Sequence, residues 1–210
     1  MENPSLEEKA EFFDIALEML CIANFKGYFI LVNQMFEETL GWKEEELYSQ
    51  PFIEFVHPED REATIQAVKD LFQGKHVNNF TNRYLCKNGE YKFIEWKSIS
   101  NLEKGCIYAV ARDITEKLNW ETKIRESEAK LKAFVQGLPI GLHFYWLNAD
   151  GELIFEGANQ EALKLLKLDP KIEIDRPIEQ VFPPLITTEI PTIYKNIASN
   201  GGIHEFPKVE

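Results

Sequence analysis

Asn24-Phe25-Lys26-Gly27, followed by the apolar run Tyr28-Phe29-Ile30-Leu31-Val32 and then Asn33-Gln34, decides the fold because the chain writes it again. Asn148-Ala149-Asp150-Gly151 precedes a second apolar run and Asn159-Gln160. Self-similarity of this kind points to tandem copies of one domain. Gly27 can supply the positive φ of a tight turn, so the first copy opens as a β-hairpin. Asn33 can cap the helix that follows. Gly27 to Asn33 is six residues and Gly151 to Asn159 eight, so two residues are inserted in or after that strand of the later copy. The later copy is expected to be unfinished, as in a fragment of a modular protein whose output machinery lies elsewhere.

With 210 residues, 44% hydrophobic and 12% aromatic, the chain can fill one or two cores of ordinary domain size. A formal net charge of -12, with no local Lys/Arg cluster, opposes the phosphate attraction on which nucleic-acid binding depends. Met1-Glu2-Asn3-Pro4 lacks a basic segment followed by the apolar core of an export signal, and no stretch reaches the apolar length of a membrane span. A cytoplasmic location without membrane insertion is the expectation. Cys21, Cys86 and Cys106 lie far apart, each in a stretch that reads as strand, and share no metal or redox spacing. They are expected to be buried free thiols, with a reactive thiol as the lesser alternative.

Outward from the first hairpin, Ser5 and Glu8 form a capping box ahead of Phe12, Phe13, Ala16, Leu17 and Leu20 at helical spacing. After Asn33 a helix presents Phe36 and Leu40 and stops at Gly41, followed by a short helical piece at 43–47. His57-Pro58-Glu59-Asp60 starts another helix, with Pro58 at its first position and the carboxylates at the positive end of the dipole. Ile65, Val68, Leu71 and Phe72 turn that helix to a core, and Gly74 ends it. Strands are predicted at 77–86, 91–99 and 105–111, the first two joined by the hairpin signal Asn88-Gly89.

Asp113-Ile114-Thr115-Glu116 then opens a helix to about residue 136, with Asp113 as cap and Glu116 three residues on; its length would be roughly 30 Å. Ile124 and Leu131, with Trp120 and Phe134 less regularly, form a stripe close to a coiled-coil seam. A helix laid on its own domain is the alternative. In the later copy the pattern predicts strands at 142–147 and 152–155, a helix at 159–166, an apolar segment at 177–185, a long helix at 186–199 redirected by Pro191, and the beginning of a strand at 203–209.

These residues carry a likeness to the PAS domain. Leu20-Cys21-Ile22-Ala23, Gly27-Tyr28-Phe29, Val32-Asn33, Leu40-Gly41-Trp42, Glu45-Glu46-Leu47, Pro51-Phe52 and Val56-His57-Pro58-Glu59-Asp60-Arg61 resemble that family. So do Arg83-Tyr84, Lys87-Asn88-Gly89-Glu90, Trp96 and Arg112-Asp113-Ile114-Thr115, the last in the manner of a C-terminal PAC-type motif. From Pro139-Ile140-Gly141 onward, notably Gly157-Ala158-Asn159 and Val181-Phe182-Pro183-Pro184-Leu185, the chain looks like a second PAS domain. Glu126-Ser127-Glu128 and Leu131 resemble the helix joining consecutive PAS units in bacterial or archaeal sensor histidine kinases.

The resemblance implies an α+β fold: a five-stranded antiparallel sheet with helices on one face, the first strand beside the fifth and the third beside the fourth. A long linker helix and a second, truncated PAS domain follow. The expected division is an N-terminal helix start at 1–11, PAS domain 1 at 12–115, a coiled-coil-like signalling linker at 116–136, and PAS domain 2 at 137–210 without its last two strands.

It also implies a pocket between helices and sheet. Phe36, Tyr84, Phe93 and Trp96 could line one, although a filled core is the favoured expectation. His57 is accounted for by the helix start. His76 follows a helix at 61–74 that holds no His, where haem-binding relatives carry their iron ligand, which argues against haem. Residues 48–56 hold no Cys for flavin-thiol photochemistry of the LOV type. No bound cofactor or metal is expected, with a noncovalent flavin or small organic ligand left open. His204-Glu205-Phe206-Pro207 mimics a phosphoacceptor motif only in its first three positions, Glu44-Glu45-Glu46 reads as a solvated helix face, and no catalytic constellation is found.

The expected role is therefore not enzymatic in this chain. It is a sensory and dimerisation module of a two-component phosphorelay, with Asp113, Ile114 and Thr115 relaying signals to a homodimeric helix seam at Ile124 and Leu131 and on to a downstream kinase domain. The alternatives are a flavin-based redox or light sensor and a stand-alone interaction adaptor.

Overall fold

A computed structural model of the chain describes residues 5–165 and 174–205. The chain divides between Thr122 and Lys123 into two compact units, within the helix expected as a separate linker.

In the first unit, α1 (Leu6–Asp14) starts as predicted: Ser5 Oγ accepts the Glu8 amide at 3.1 Å and the Glu8 carboxylate accepts the Ser5 amide at 2.6 Å. No residue of α1 is buried. The hairpin of β1 (Met19–Asn24) and β2 (Phe29–Val32) turns on Asn24, whose Oδ1 accepts the amides of Lys26 and Tyr28, and on Gly27 at φ 88°. Next come α2 (Gln34–Leu40), ended by Gly41 at φ 78°, α3 (Glu44–Tyr48), short 3-10 turns at Phe52–Phe55 and Pro58–Asp60, and α4 (Arg61–Phe72). The strands β3 (Val77–Leu85), β4 (Tyr91–Asn101) and β5 (Cys106–Asp113) complete a sheet of order β2-β1-β5-β4-β3, antiparallel throughout. The first strand beside the fifth and the third beside the fourth is the arrangement expected.

Strand alternation sends Cys21, Ala23, Ile94, Trp96, Ile107 and Ala109 to one face, where they meet Phe36, Leu40, Leu47, Phe55 and Leu71 of the helical layer. Two local expectations are corrected. Cys86 lies one residue past β3, though it is buried and free like Cys21 and Cys106. Asn33 occupies the cap position of α2, yet its side chain makes no cap bond, because more distant backbone groups use it fully.

The helix α5 runs Thr115–Gly137, about 35 Å at 1.5 Å per residue, and none of its residues is buried. Ile124 and Leu131 are 57% and 64% exposed, so the apolar stripe is not spent on a core.

The second unit holds β6 (His143–Leu147), β7 (Leu153–Ala158), α6 (Gln160–Leu165), β8 (Arg176–Pro177), α7 (Ile178–Val181), a 3-10 turn at Pro183–Thr187 and α8 (Ile190–Asn200). Its sheet order is β6-β7-β8 around buried Leu153, Phe155, Ala162 and Ile178. The Asn turn recurs: Asn148 Oδ1 accepts the amides of Asp150 and Glu152, and Gly151 has φ 76°. The two inserted residues are absorbed by a longer strand, six residues in β7 against four in β2.

The long helix expected at 186–199 is instead a 3-10 turn and a separate α8. Pro191 sits in the first turn of α8, where its missing N–H costs no helical bond, so it helps begin the helix rather than bend it. Two-residue β8 is too short to leave a periodic signal in the sequence. Leu166, expected to end a helix, and 206–209 of the expected last strand lie outside the described residues; 201–205 are not strand.

Candidate sensory site

The inward residues of β1, β3, β4 and β5 and the inner face of α4 do not close completely. Between them lies a cavity of about 60 Å³, whose wall includes Cys21, Val68, Leu71, Tyr84, Trp96 and Ala109. Pockets that hold drug-sized ligands measure roughly 300–1,000 Å³. The cavity therefore suits a molecule of a few heavy atoms, and a flavin does not fit this conformation.

One polar chain crosses the carbon-lined wall. Trp96 Nε1 donates to Asn82 Oδ1 at 2.8 Å, Asn82 Nδ2 donates to Thr64 Oγ1 at 3.0 Å, and the Thr64 hydroxyl donates to the Asp60 carbonyl at 2.8 Å. Each buried polar group on this path is thus satisfied, as its low-dielectric surroundings require. The path joins β4, β3 and α4.

The expected pocket residues separate. Tyr84 and Trp96 line the cavity with ring centroids 5.2 Å apart, while Phe36 is wholly buried behind Trp96 at 6.4 Å. Phe93 stands on the opposite face, 37% exposed, because β4 turns Ile94, Trp96 and Ser98 inward. Thr64 and Asn82 were not anticipated. Asn82 precedes Tyr84 by two residues, so strand alternation could have found it; Thr64 shares a helical stripe with Val68 and Leu71. Cys21 also lines the cavity, and burial pushes its thiol up to about 12, which keeps it protonated and poorly nucleophilic at neutral pH.

The backbone of Phe93, rather than its ring, bonds to the residues expected to form a relay. Its carbonyl accepts the Ile114 amide at 2.9 Å and its amide donates to Thr115 Oγ1 at 2.9 Å. Asp113 Oδ1 accepts the Thr115 amide at 2.9 Å, and Asp113 Oδ2 pairs with Lys92 Nζ at 2.8 Å. The cap runs from Asp113 to Thr115 and back to β4, and not through Glu116. Burial works against the Asp113 carboxylate, but the bonds from Lys92 and Thr115 outweigh it and hold its pKa below the ordinary value. Two of the strands that wall the cavity, β4 and β5, thus also grip the start of α5.

His57 serves the turn before α4, its Nδ1 accepting the Glu59 amide at 3.3 Å while the ring meets Tyr91 edge-on at 4.6 Å. Arg83 fixes that turn to β3 by donating to both Asp60 oxygens and to Glu59. Those bonds from Arg83 hold the Asp60 carboxyl below its usual range against the opposing effect of burial. Among the described residues no group of three or more His, Cys, Asp or Glu is placed to hold a metal ion, and no helix is long and apolar enough to cross a membrane.

An antiparallel sheet with helices on one face and a cavity between them, with a helix leaving the end of β5, is the form of a PAS sensory domain, and residues 29–110 match the family described as PAS fold. The first unit thus carries a PAS domain over those residues.

Sporulation kinase E of Bacillus subtilis (strain 168) is 26% identical over 167 residues, which is 79% of this chain and 22% of that protein. The chain thus spans about a fifth of the length of that curated relative. Among solved structures, a domain of the sensory box sensor histidine kinase/response regulator from Geobacter sulfurreducens is similar at 16% identity and TM-score 0.46, covering 53% of this chain and 100% of that one. The PAS domain of HTR-like protein from Haloarcula marismortui is similar at 24% identity and TM-score 0.46, covering 51% and 96%.

Proposed function

We propose that this chain is the sensory input and dimerisation region of a two-component sensor histidine kinase, with two PAS units in tandem and conformational rather than chemical work. The observation that carries this reading is the shared use of β4 and β5: they wall the cavity at Trp96, Ser98, Ile107 and Ala109, and they hold the first turn of α5 at Phe93 and Asp113. The signal is a small, mainly apolar molecule, in keeping with the volume and lining of the cavity. It acts only by binding one arrangement of β4, β5 and α5 more tightly than another, since equal affinity for both shifts nothing.

The tandem reading is supported by the recurrence of the Asn24 turn at Asn148, bond for bond. Pairing of two chains along α5 is supported by Ile124 and Leu131, exposed and seven residues apart, the repeat of a coiled-coil seam. The downstream kinase would receive the resulting change in that seam.

Hydrogen exchange on the whole chain, with and without a series of short aliphatic alcohols, tests the relay. An alcohol that changes exchange at the amides around the cavity, near Trp96, is expected to change exchange at the amides of 115–118 as well. Occupancy of the cavity with no change at those amides would defeat the proposal.

A further inference from the structure

Asn33 and Asn159, the paired residues of the internal repeat, make one and the same set of distant bonds. In the first unit the Asn33 amide donates to the Leu20 carbonyl at 3.0 Å and its Oδ1 accepts the Leu20 amide at 2.9 Å. Its Nδ2 donates to the carbonyls of Glu18 at 2.9 Å and Phe13 at 3.1 Å. In the second unit the Asn159 amide donates to the Leu142 carbonyl at 3.0 Å and its Oδ1 accepts the Leu142 amide at 2.8 Å. Its Nδ2 donates to Ile140 at 2.7 Å and Val135 at 3.1 Å.

The offsets agree: Phe13 and Val135 lie seven residues before Leu20 and Leu142, and Glu18 and Ile140 lie two before them. Phe13 belongs to the last turn of α1 and Val135 to the last turn of α5. Each buried amide therefore fastens the end of a helix to the strand that follows it. The last turn of α5 is the structural counterpart of α1.

The second clamp carries two bonds beyond that shared set. Asn159 Oδ1 also accepts the Ala162 amide at 3.0 Å, capping α6, and Gln136 Oε1 of α5 accepts the Gln160 amide at 2.8 Å. Asn159 is wholly buried, so loosening the bonds of its side chain leaves that amide without water to replace them, whereas the Gln136–Gln160 bond is exposed. Leu142 and Ala162, both held by Asn159, also line a groove of about 580 Å³ together with His143, Tyr145, Tyr194 and Ile197.

We propose that Asn159 is a positioning residue, the joint through which the placement of the last turn of α5 sets the start of β6, the first turn of α6 and the shape of the groove between them. Helix and groove have no freedom to move separately while the joint is closed. The inference rests on hydrogen bonds inside the second unit and needs no ligand, so its failure is distinct from failure of small-molecule sensing by the first.

Amide exchange on the full chain tests it with three substitutions. Lys130→Gly loosens exposed α5 ahead of the joint, and is expected to raise exchange at the Leu142 and Ala162 amides roughly fivefold. Asn159→Asp keeps the Oδ1 acceptor and removes the Nδ2 donor. In that background Lys130→Gly is expected to leave the two amides within about twofold of the single variant, the transmitted part having been lost. Where Asn159→Asp does not fold, Gln136→Ala serves instead and is expected to halve the transmitted effect. An equal response to Lys130→Gly with and without these substitutions, or none in any background, overturns the proposal.

Discussion

Trp96 gives its indole N–H to Asn82 at 2.8 Å at the wall of a mainly apolar cavity. The pair spans neighbouring strands, and through Thr64 it reaches α4, so sheet and helix are tied beside the cavity between them. Asn82→Ala leaves the Trp96 N–H buried and unpartnered and is expected to cost about 2 kcal/mol in urea unfolding. A loss within experimental error would mean that water already satisfies the indole.

Ala109 lies on β5 against the cavity. Ala109→Val adds two methyl carbons on a strand that favours β-branched residues, and is expected to change stability by about 1 kcal/mol or less in either direction. Binding of short alcohols, followed by the shift in Tm they cause, should disappear. Unchanged binding would place the ligand elsewhere.

Asp113→Ala removes the cap on Thr115 and the partner of Lys92. A loss of about 1 kcal/mol is expected, the scale of a helix cap. Faster exchange should be confined to the first turn of α5 and the adjoining end of β4. Protection of 115–118 equal to that of the native chain would show the cap to be dispensable.

Acid should weaken the first unit through Asp60. Its folded pKa is depressed by Arg83, so it stabilises the fold above the ordinary carboxylate value of about 4 and loses that contribution as pH falls through its lower folded pKa. Asp60→Asn should lower stability at neutral pH and flatten the fall in urea midpoint between neutrality and about pH 3. Asp113, depressed in the same sense, keeps part of the slope. A slope identical to that of the native chain would remove Asp60 from the acid transition.

Ile124→Glu combined with Leu131→Glu places two charges on the exposed stripe of α5. On the proposed pairing along α5, sedimentation should change from dimer to monomer while circular dichroism keeps its helical signal. A dimer that survives both charges would put the interface on another surface.

Features governed by neighbours in the chain are legible from residue type and spacing. The capping box of Ser5 and Glu8, Gly41 closing α2 and the turns at Asn24 and Asn148 complete their bonds within a few residues, so nothing distant is needed to read them. The five-stranded order is legible by another route, the likeness of its motifs to a known family.

What the chain could not disclose depends on partners far away in it. Asn33 reads as a helix cap, yet its side chain is taken by carbonyls 15 and 20 residues earlier. Phe93 reads as a pocket aromatic, yet the facing of β4 turns its ring outward and leaves its backbone to hold α5. The cavity has no sequence signature of its own, for it is the volume left when α4 meets a twisted sheet. Local hydrogen bonding thus set the elements of this protein, while the register between strands and the fit of helix on sheet decided which atoms they bring together, because those energies exist only once distant segments touch.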